Sequence, residues 1–318
     1  TFTLTVNTVN DAPEFTLSED IMVDEDFETT ETVTVTPGAI PSDEEGQTVT
    51  YSIEPVSVSF ANVSIESTTG EVTITSVSDS SGIQEFTVTA DDNATRATYD
   101  QTFTLTVNTV NDAPEFTLSE DIMVDEDFET TETVTVTPGA IPSDEEGQTV
   151  TYSIEPVSVS FANVSIESTT GEVTITSVSD SSGIQEFTVT AVDDGGTDNA
   201  GDNTSTQTFT LTVNTVNDAP EFTLSDDITV DEDFVTTETV TVTPGAIPSD
   251  EEGQTVTYSI EPESVSFANV VINENTGEVT ITSVADFSGV QEFTVTAVDD
   301  GGTDNAGDNT STQTFTLT

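Results

Sequence analysis

The chain has 318 residues, of which 62 are Asp or Glu and only one, Arg96, is basic, giving a formal net charge of −61. Without Lys and Arg to neutralise phosphates, nucleic acid is excluded as a partner and anionic membrane surfaces are repelled. The absence of His, Cys, Lys and Trp removes the usual general base, thiol nucleophile and Schiff-base amine, so an enzyme is not expected; it also rules out disulfide and Lys–Asn isopeptide staples. Carboxylate-only chemistry such as glycoside hydrolysis would gather its acids in one cleft. Here they recur instead, with 20, 21 and 21 in three successive stretches.

Those stretches are repeats. The phrase TFTLTVNTVNDAPEF begins at Thr1, returns at Thr102 and returns again at Thr208, with periods of 101 and 106 residues. Residues 10–90 and 111–191 are identical, and 217–297 differs from them by scattered substitutions. Units of about a hundred residues are whole domains, longer than the 20–50 residues of solenoid repeats. The reading is therefore residues 1–9 as the last strand of a preceding repeat, then repeats 10–110, 111–216 and 217–318, the last ending inside the same phrase. The pattern predicts further repeats on both sides. No stretch reaches the roughly 18 apolar residues of a membrane-spanning helix, so no membrane insertion is expected of this segment.

In chain order within the middle repeat, the spacing predicts strands at 115–119, 121–124, 132–137, 149–154, 162–167, 172–178, 186–192 and 206–214. Phe103, Leu105 and Val107 alternate with Thr102, Thr104 and Thr106, and Phe187, Val189 and Ala191 alternate with Thr188 and Thr190. Period two in β-branched and aromatic residues marks strands with one buried face. Phe116, Phe128, Phe161, Phe187 and Phe209 are read as core. Turn-rich stretches such as PGAIPSDEEG and DDGGTDNAGDN separate the runs, and no window has a helical period. The expected fold class is all-β: tandem Ig-like Greek-key sandwiches arranged end to end as a rod.

The acids recur in four clusters per repeat: VNDAP in the opening linker, VDED, PSDEEG and AVDDGG. Loops of a sandwich alternate between its two ends. This puts PSDEEG and AVDDGG beside a repeat's own linker, and VDED with the VSDSSG turn beside the next one. At the first junction this predicts a gathering of Glu25, Asp26 and Asp79 with Asn111, Asp112, Asp144, Glu145, Asp193 and Asp194. The equivalents are Asn10, Asp11, Asp43, Asp91 and Asp92 ahead of repeat 1. At the second junction they are Glu126, Asp127 and Asp180 with Asn217, Asp218, Asp250, Glu251, Asp299 and Asp300. Carboxylates this close cannot all stay ionised without a cation. Ca²⁺ is the expected one, since it takes six to eight oxygen ligands in flexible geometry, whereas zinc and copper favour the absent His and Cys.

At these residues the chain resembles cadherin-like repeats, and in particular the dystroglycan-type repeats of giant bacterial surface adhesins. VNDAPEF is similar to the calcium linker with its Asn-Asp-x-Pro core. DEEGQTVTYSI, ESTTGEVTITSV and FTVTAVDDGG follow in the family's order, three times over. The resemblance implies Asp112, Asp144, Asp193 and Glu126, with their counterparts, as calcium ligands. Where that family often has an Asp-Arg-Glu turn, this chain has SDSS; Asp180 remains and the glutamate does not, which implies fewer ions per junction. The near-identity of the repeats is also similar to adhesins of Bacteroidetes, including the mobile surface filaments of gliding flavobacteria.

The Asn-x-Ser/Thr sites at Asn62, Asn93, Asn163, Asn203 and Asn309 are expected by chance in so Thr-rich a chain, and Arg96 is read as a lone exposed charge. Two functions remain. One is a calcium-rigidified stalk or filament segment, extracellular on a bacterial surface, whose partners are adjacent repeats of the same chain. The other is a module whose repeats contact surface glycans or other adhesin chains directly.

Overall fold

The computed structural model describes residues 1–94, 98–142, 144–248 and 250–318. Arg96 lies outside the described residues. Two compact units are present. One comprises Thr1–Thr117, Thr137–Tyr152 and Thr190–Thr206; the other comprises Leu118–Val136, Ser153–Val189 and Gln207–Thr318.

In the first unit, the described residues of 10–110 form nine strands: β1 (Phe15–Leu17), β2 (Ile21–Asp24), β3 (Glu31–Val33), β4 (Val35–Pro37), β5 (Thr50–Glu54), β6 (Ala61–Ile65), β7 (Val72–Ser76), β8 (Gly82–Asp91) and β9 (Tyr99–Asn108). They build a sandwich from a sheet ordered β2-β9-β8-β5 and a sheet ordered β3-β7-β6, with β1 paired to β4. The period-two pattern explains the layering. Phe86, Val88 and Ala90 of β8 and Phe103, Leu105 and Val107 of β9 are buried, opposite Val33, Val72 and Ile74 of the other sheet. The rings of Phe86 and Phe103 stack at 5.3 Å. Burying each such ring stabilises the sandwich by about 1.5–3 kcal/mol. Gly82 opens β8 because a Cβ there would lie 2.5 Å from the ring of Phe60.

Two features depart from the simplest reading of the pattern. The run 132–137, like its counterpart in the first repeat, is two strands instead of one. In the first repeat β3 pairs with β7 and β4 pairs with β1. Thr34 marks the switch, because its backbone groups turn to Ser18: its N–H donates to Ser18 Oγ and its carbonyl accepts from Ser18 N–H, both at 3.1 Å. In addition, β2 runs parallel to β9, with Ile21 opposite Leu105 and Asp24 opposite Asn108. Both strands therefore run out at the same end, which carries the acidic end of β2 to the linker that follows β9.

The second unit repeats these arrangements. Ile122–Asp125 runs parallel to 211–214, and Val173–Ser177 pairs with both Glu132–Val134 and Ala162–Ile166. In the third repeat Gln291–Val298 pairs with Thr257–Glu261 and Thr310–Leu317, and Val279–Ser283 pairs with Glu238–Val240 and Ala268–Ile272. Phe187 stacks on Phe209 and Phe293 on Phe315, each at 5.3 Å. Of the phenylalanines read as core, Phe116, Phe161, Phe187 and Phe209 are buried, whereas Phe128 is half-buried. Among the described residues no helix is long and apolar enough to cross a membrane.

Candidate metal centre

The parallel pairing of β2 with β9 delivers Glu25 to the linker. Its backbone N–H extends the ladder to the carbonyl of Asn108 at 3.0 Å. Its Oε1 accepts a hydrogen bond from Val110 N–H at 2.5 Å. Two residues further on, Asp112 N–H donates to Glu145 Oε1 at 2.6 Å. Glutamates from the two repeats thus hold alternate amides of one linker. Each keeps a second carboxylate oxygen for other use.

For Glu25 that second oxygen, Oε2, is buried and has no hydrogen-bond partner. Both carboxylate oxygens of Asp144 and Oδ2 of Asp193 are in the same condition. Asp193 Oδ1 is satisfied by Asn111 Nδ2 and Gly195 N–H, each at 2.9 Å. Gln148 Nε2 donates to Asn111 Oδ1 at 2.8 Å and fixes the amide. Beside these, carboxylate oxygens of Asp26, Asp79 and Asp112 lie within 4.8 Å of one another. Asp26 and Asp79 hold positive φ of 56° and 51°, a region Asp tolerates better than most residues. Asp79 N–H donates to Asp26 Oδ1 at 3.3 Å.

Electrostatics follow from this crowding. Burial pushes the Glu25 carboxyl up from 4.5 to about 7, with neighbouring Asp144 and Asp26 adding to the rise and the Val110 hydrogen bond opposing it. Burial, then the charges of Asp79, Glu145, Asp26 and Asp144, pushes Asp112 up from 3.8 to about 6.

The second unit holds the same arrangement again. Val216 N–H donates to Glu126 Oε1 at 2.5 Å and Asp218 N–H to Glu251 Oε1 at 2.6 Å. Glu126 Oε2, both carboxylate oxygens of Asp250 and Oδ2 of Asp299 are buried without partners. Asp127, Asp180 and Asp218 form the trio. Glu126 is pushed up to about 8 by burial first and by Asp250 and Asp127 next, and Asp218 to about 6 by burial and Asp180. Burial also raises Glu251.

Half of the same arrangement stands ahead of repeat 1, where Asn10 Nδ2 donates to Asp92 Oδ2 at 2.8 Å and Asp11 N–H to Glu44 Oε1 at 2.5 Å. Glu44 is buried and Asp43 exposed. At the far end of repeat 3, Asp286 N–H donates to Asp233 Oδ1 at 2.9 Å.

Some of the expected residues sit elsewhere. Asp194 accepts from Thr149 N–H at 2.8 Å on the exposed side of its loop. Asp300 accepts from Thr255 N–H and hydroxyl at 2.8 and 2.7 Å, and these bonds hold its carboxyl below the usual range. Asp91 caps its own turn, accepting from Asn93 N–H at 2.8 Å. Other contributors were not read from the sequence: Glu44, the Gln47/Gln148/Gln254 series, and the loop after Asp193. Asp202 N–H donates to Asn111 carbonyl at 2.8 Å, Asn111 Nδ2 returns a bond to Asp202 carbonyl at 2.6 Å, and Ser205 Oγ donates to the Pro114 carbonyl. A Cβ on Gly195 would lie 1.6 Å from Asn111 Oδ1, so a side chain there would have to displace the Asn111 amide. The signal was in the sequence as a glutamine four residues after each PSDEEG aspartate.

No protein-family model matches the chain, and no curated protein does. Among solved structures it is similar to cadherin extracellular domains 1–5 of protocadherin gamma B2, at 18% identity and a TM-score of 0.49 over 97% of this chain and 60% of that one. It is also similar to domains 22–24 of mouse cadherin-23, at 17% identity and 0.45 over 97% and 98%, and to the protocadherin gamma B4 extracellular domain, at 20% and 0.46 over 98% and 50%.

Proposed function

We propose that the chain is a non-enzymatic structural segment of a large extracellular adhesin on a bacterial surface, a stalk or filament body whose repeats are held in line by Ca²⁺ at each junction. The observation that carries this reading is the set of buried carboxylate oxygens without partners, Glu25 Oε2, Asp144 Oδ1 and Oδ2 and Asp193 Oδ2, with their counterparts Glu126, Asp250 and Asp299. A buried charged oxygen left unpaired is strongly unfavourable. Each pair in an ionised Asp26/Asp79/Asp112 trio would repel by about 3 kcal/mol at an effective dielectric of about 20.

A divalent cation removes both costs. The donor set is all oxygen, which suits Ca²⁺ and not zinc or copper. Asp26, Asp79 and Asp112, whose carboxylate oxygens lie within 4.8 Å of one another, would hold one ion, and the buried oxygens of Glu25, Asp144 and Asp193 would add negative charge beside it. Bound there, the ion would tie residues of two repeats to one linker. Pro13, Pro114 and Pro220 restrict the same linkers. Three repeats so aligned would extend on the order of 120 Å, from strands rising roughly 3.3 Å per residue.

The test is thermal melting together with small-angle scattering in excess calcium and in excess chelator. Calcium is expected to raise the melting temperature by mass action and to lengthen the particle. Identical melting and identical scattering in the two conditions would refute the reading.

A second reading, repeats that bind a glycan or protein partner directly, is favoured by one outer-face row. Met22 lies opposite Thr106 and Thr106 opposite Ile83, and Met22 and Ile83 are 73% and 71% exposed. Loss of cell or glycan-array binding on Met22→Ser/Ile83→Ser replacement, with melting unchanged, would support that module over the stalk.

A further inference from the structure

The linker after β9 is held unequally by its two neighbours. Toward the preceding repeat, among the described residues, its backbone is bonded at Val110, whose N–H donates to Glu25 Oε1. Toward the following repeat the hold is spread along the whole segment. The Asn111 carbonyl accepts from Asp202 N–H at 2.8 Å. Asn111 Nδ2 donates to the Asp202 carbonyl at 2.6 Å and to Asp193 Oδ1 at 2.9 Å, and Asn111 Oδ1 accepts from Gln148 Nε2 at 2.8 Å. Asp112 N–H donates to Glu145 Oε1, the Pro114 carbonyl accepts from Ser205 Oγ, and Asn199 Nδ2 reaches back to the Thr109 carbonyl at 3.5 Å.

Most of these partners lie on one segment, Asp193–Ser205, which crosses the linker like a strap. Asn199 and Ala200 take positive φ of 55° and 65° and fold the segment back. Gly201 then brings it against the linker backbone: a Cβ there would lie 2.9 Å from Asn111 N and 3.0 Å from its carbonyl oxygen. The second junction has the same construction. Asp308 N–H donates to the Asn217 carbonyl at 2.8 Å, Asn217 Nδ2 donates to the Asp308 carbonyl at 2.7 Å, Gln254 Nε2 donates to Asn217 Oδ1 at 2.8 Å, and Ser311 Oγ donates to the Pro220 carbonyl. On the preceding side Val216 N–H meets Glu126 Oε1. Each junction lies within one compact unit.

We infer that the linker is an arm of the repeat that follows it, strapped down by Asp193–Ser205, and that the junction bends between Asn108, the last residue of β9, and Asn111. Opening on the strapped side would strip partners from the Asn111 amide and carbonyl and from Glu145, and each buried polar group left unpaired is costly. Opening at Val110 frees one amide. It also lets water reach Glu25 Oε2 and the Asp144 carboxylate, which are buried without partners while the junction is closed. The acidic trio divides at the same place. Asp26 and Asp79 stay with the preceding repeat, where Asp79 N–H donates to Asp26 Oδ1, and Asp112 moves with the arm. What calcium does here rests on the reading proposed above: a cation shared by the three acids spans the bend. The position of the bend is set by the strap and does not depend on the cation.

The chain contains no Cys, so introduced cysteine pairs carry spin labels without background. Pulsed dipolar spectroscopy on the 318-residue chain, in calcium and in chelator, compares three pairs: Ala113→Cys with Glu146→Cys, Thr30→Cys with Ala113→Cys, and Thr30→Cys with Glu146→Cys. Thr30 and Glu146 are exposed on the preceding and following repeats. In chelator the distance from 113 to 146 is expected to stay narrowly distributed, while both distributions that include position 30 become several-fold broader. Gly201→Ala, which sets a methyl group against the Asn111 backbone, is expected to broaden the 113 to 146 distribution as well. Equal breadth for the two pairs that include 113, or greater breadth toward 146, would overturn the arm. A 113 to 146 distribution indifferent to Gly201→Ala would overturn the strap. If all three distributions are the same in calcium and in chelator, the calcium reading fails, and the contrast between the two pairs that include 113 still decides the arm: narrower toward 146 supports it, and equal breadth overturns it.

Discussion

Calcium binding should release protons, in a number set by the raised carboxyl groups. In the metal-free state Glu25 titrates at about 7, Glu126 at about 8, and Asp112 and Asp218 at about 6. A cation held by these carboxylates requires them ionised, so binding expels whatever protons they carry. At pH 7 Glu25 is about half protonated, Glu126 about nine-tenths, and each aspartate about one-tenth, which gives roughly 1.5 protons released per chain. The same arithmetic gives roughly 3 at pH 6 and roughly 0.6 at pH 8. Calorimetric titration in two buffers of different ionisation enthalpy measures the number directly. Calcium binding with no proton release at pH 7, or release that fails to fall between pH 6 and pH 8, would refute the assignment of these groups to the cation.

The sign of the stability effect follows from the same shifts. The folded values of Glu25 and Glu126 lie above the ordinary 4.5, so the folded metal-free state holds protons more tightly than the unfolded chain. Its stability is greatest below pH 4.5 as far as these groups are concerned and is lost as pH rises through 7 to 8. In chelator the melting temperature should therefore fall from pH 5 to pH 8, and in calcium that fall should be abolished or reversed.

Other perturbations separate the parts. Asp112→Ala should remove calcium binding at the trio with Asp26 and Asp79 while leaving the trio around Asp218 intact, so titration should lose only part of its stoichiometry and both flanking sandwiches should stay folded by circular dichroism. Gly195→Ala places a methyl carbon where Asn111 Oδ1 now lies; disturbing a group that orients a ligand typically weakens metal affinity 10–100-fold, roughly, and isothermal titration should find that loss at the first junction only. Phe187→Ala deletes a fully buried ring stacked at 5.3 Å on Phe209 and should cost about 3–5 kcal/mol; calorimetry should resolve one early transition with the other repeats melting as before.

The strands were legible because a half-buried strand writes its burial into alternate residues, as Phe103, Leu105 and Val107 do. The switch at Thr34 was not, because alternation continues unbroken through a strand that leaves one sheet for another, and only the Ser18 side chain marks the exchange. At the junctions, composition located the acidic loops but not which acid in each loop turns inward. DEEG offers three in a row. In the first repeat Glu44 is buried because its longer side chain reaches the Asp11 amide, and Asp43 is exposed. In AVDDGG the first aspartate faces Asn111 and the second caps Thr149. Neighbouring residues of one type point in different directions on a loop, and their identity alone does not say which.

The linker geometry explains why a cation at this place would act mechanically. Val110 and Asp112 present their N–H groups two residues apart in an extended linker, and they are taken by glutamates belonging to opposite sides, Glu25 and Glu145. Each glutamate is thereby oriented by the backbone it holds, and this leaves Glu25 Oε2 buried together with both oxygens of Asp144. Without a cation these groups oppose closure through burial and mutual repulsion, and protons are the only other relief. With one, the same oxygens become cross-links between two repeats and their shared linker. The difference between the states is the sign of one electrostatic contribution at a fixed set of atoms, so stiffness would be switched with no change in the sandwiches themselves. If scattering in chelator found flexible junctions while hydrogen exchange in β8 and β9 stayed as slow as in calcium, the hinge would be located at the linker; faster exchange in those strands would place the effect of calcium in the fold instead.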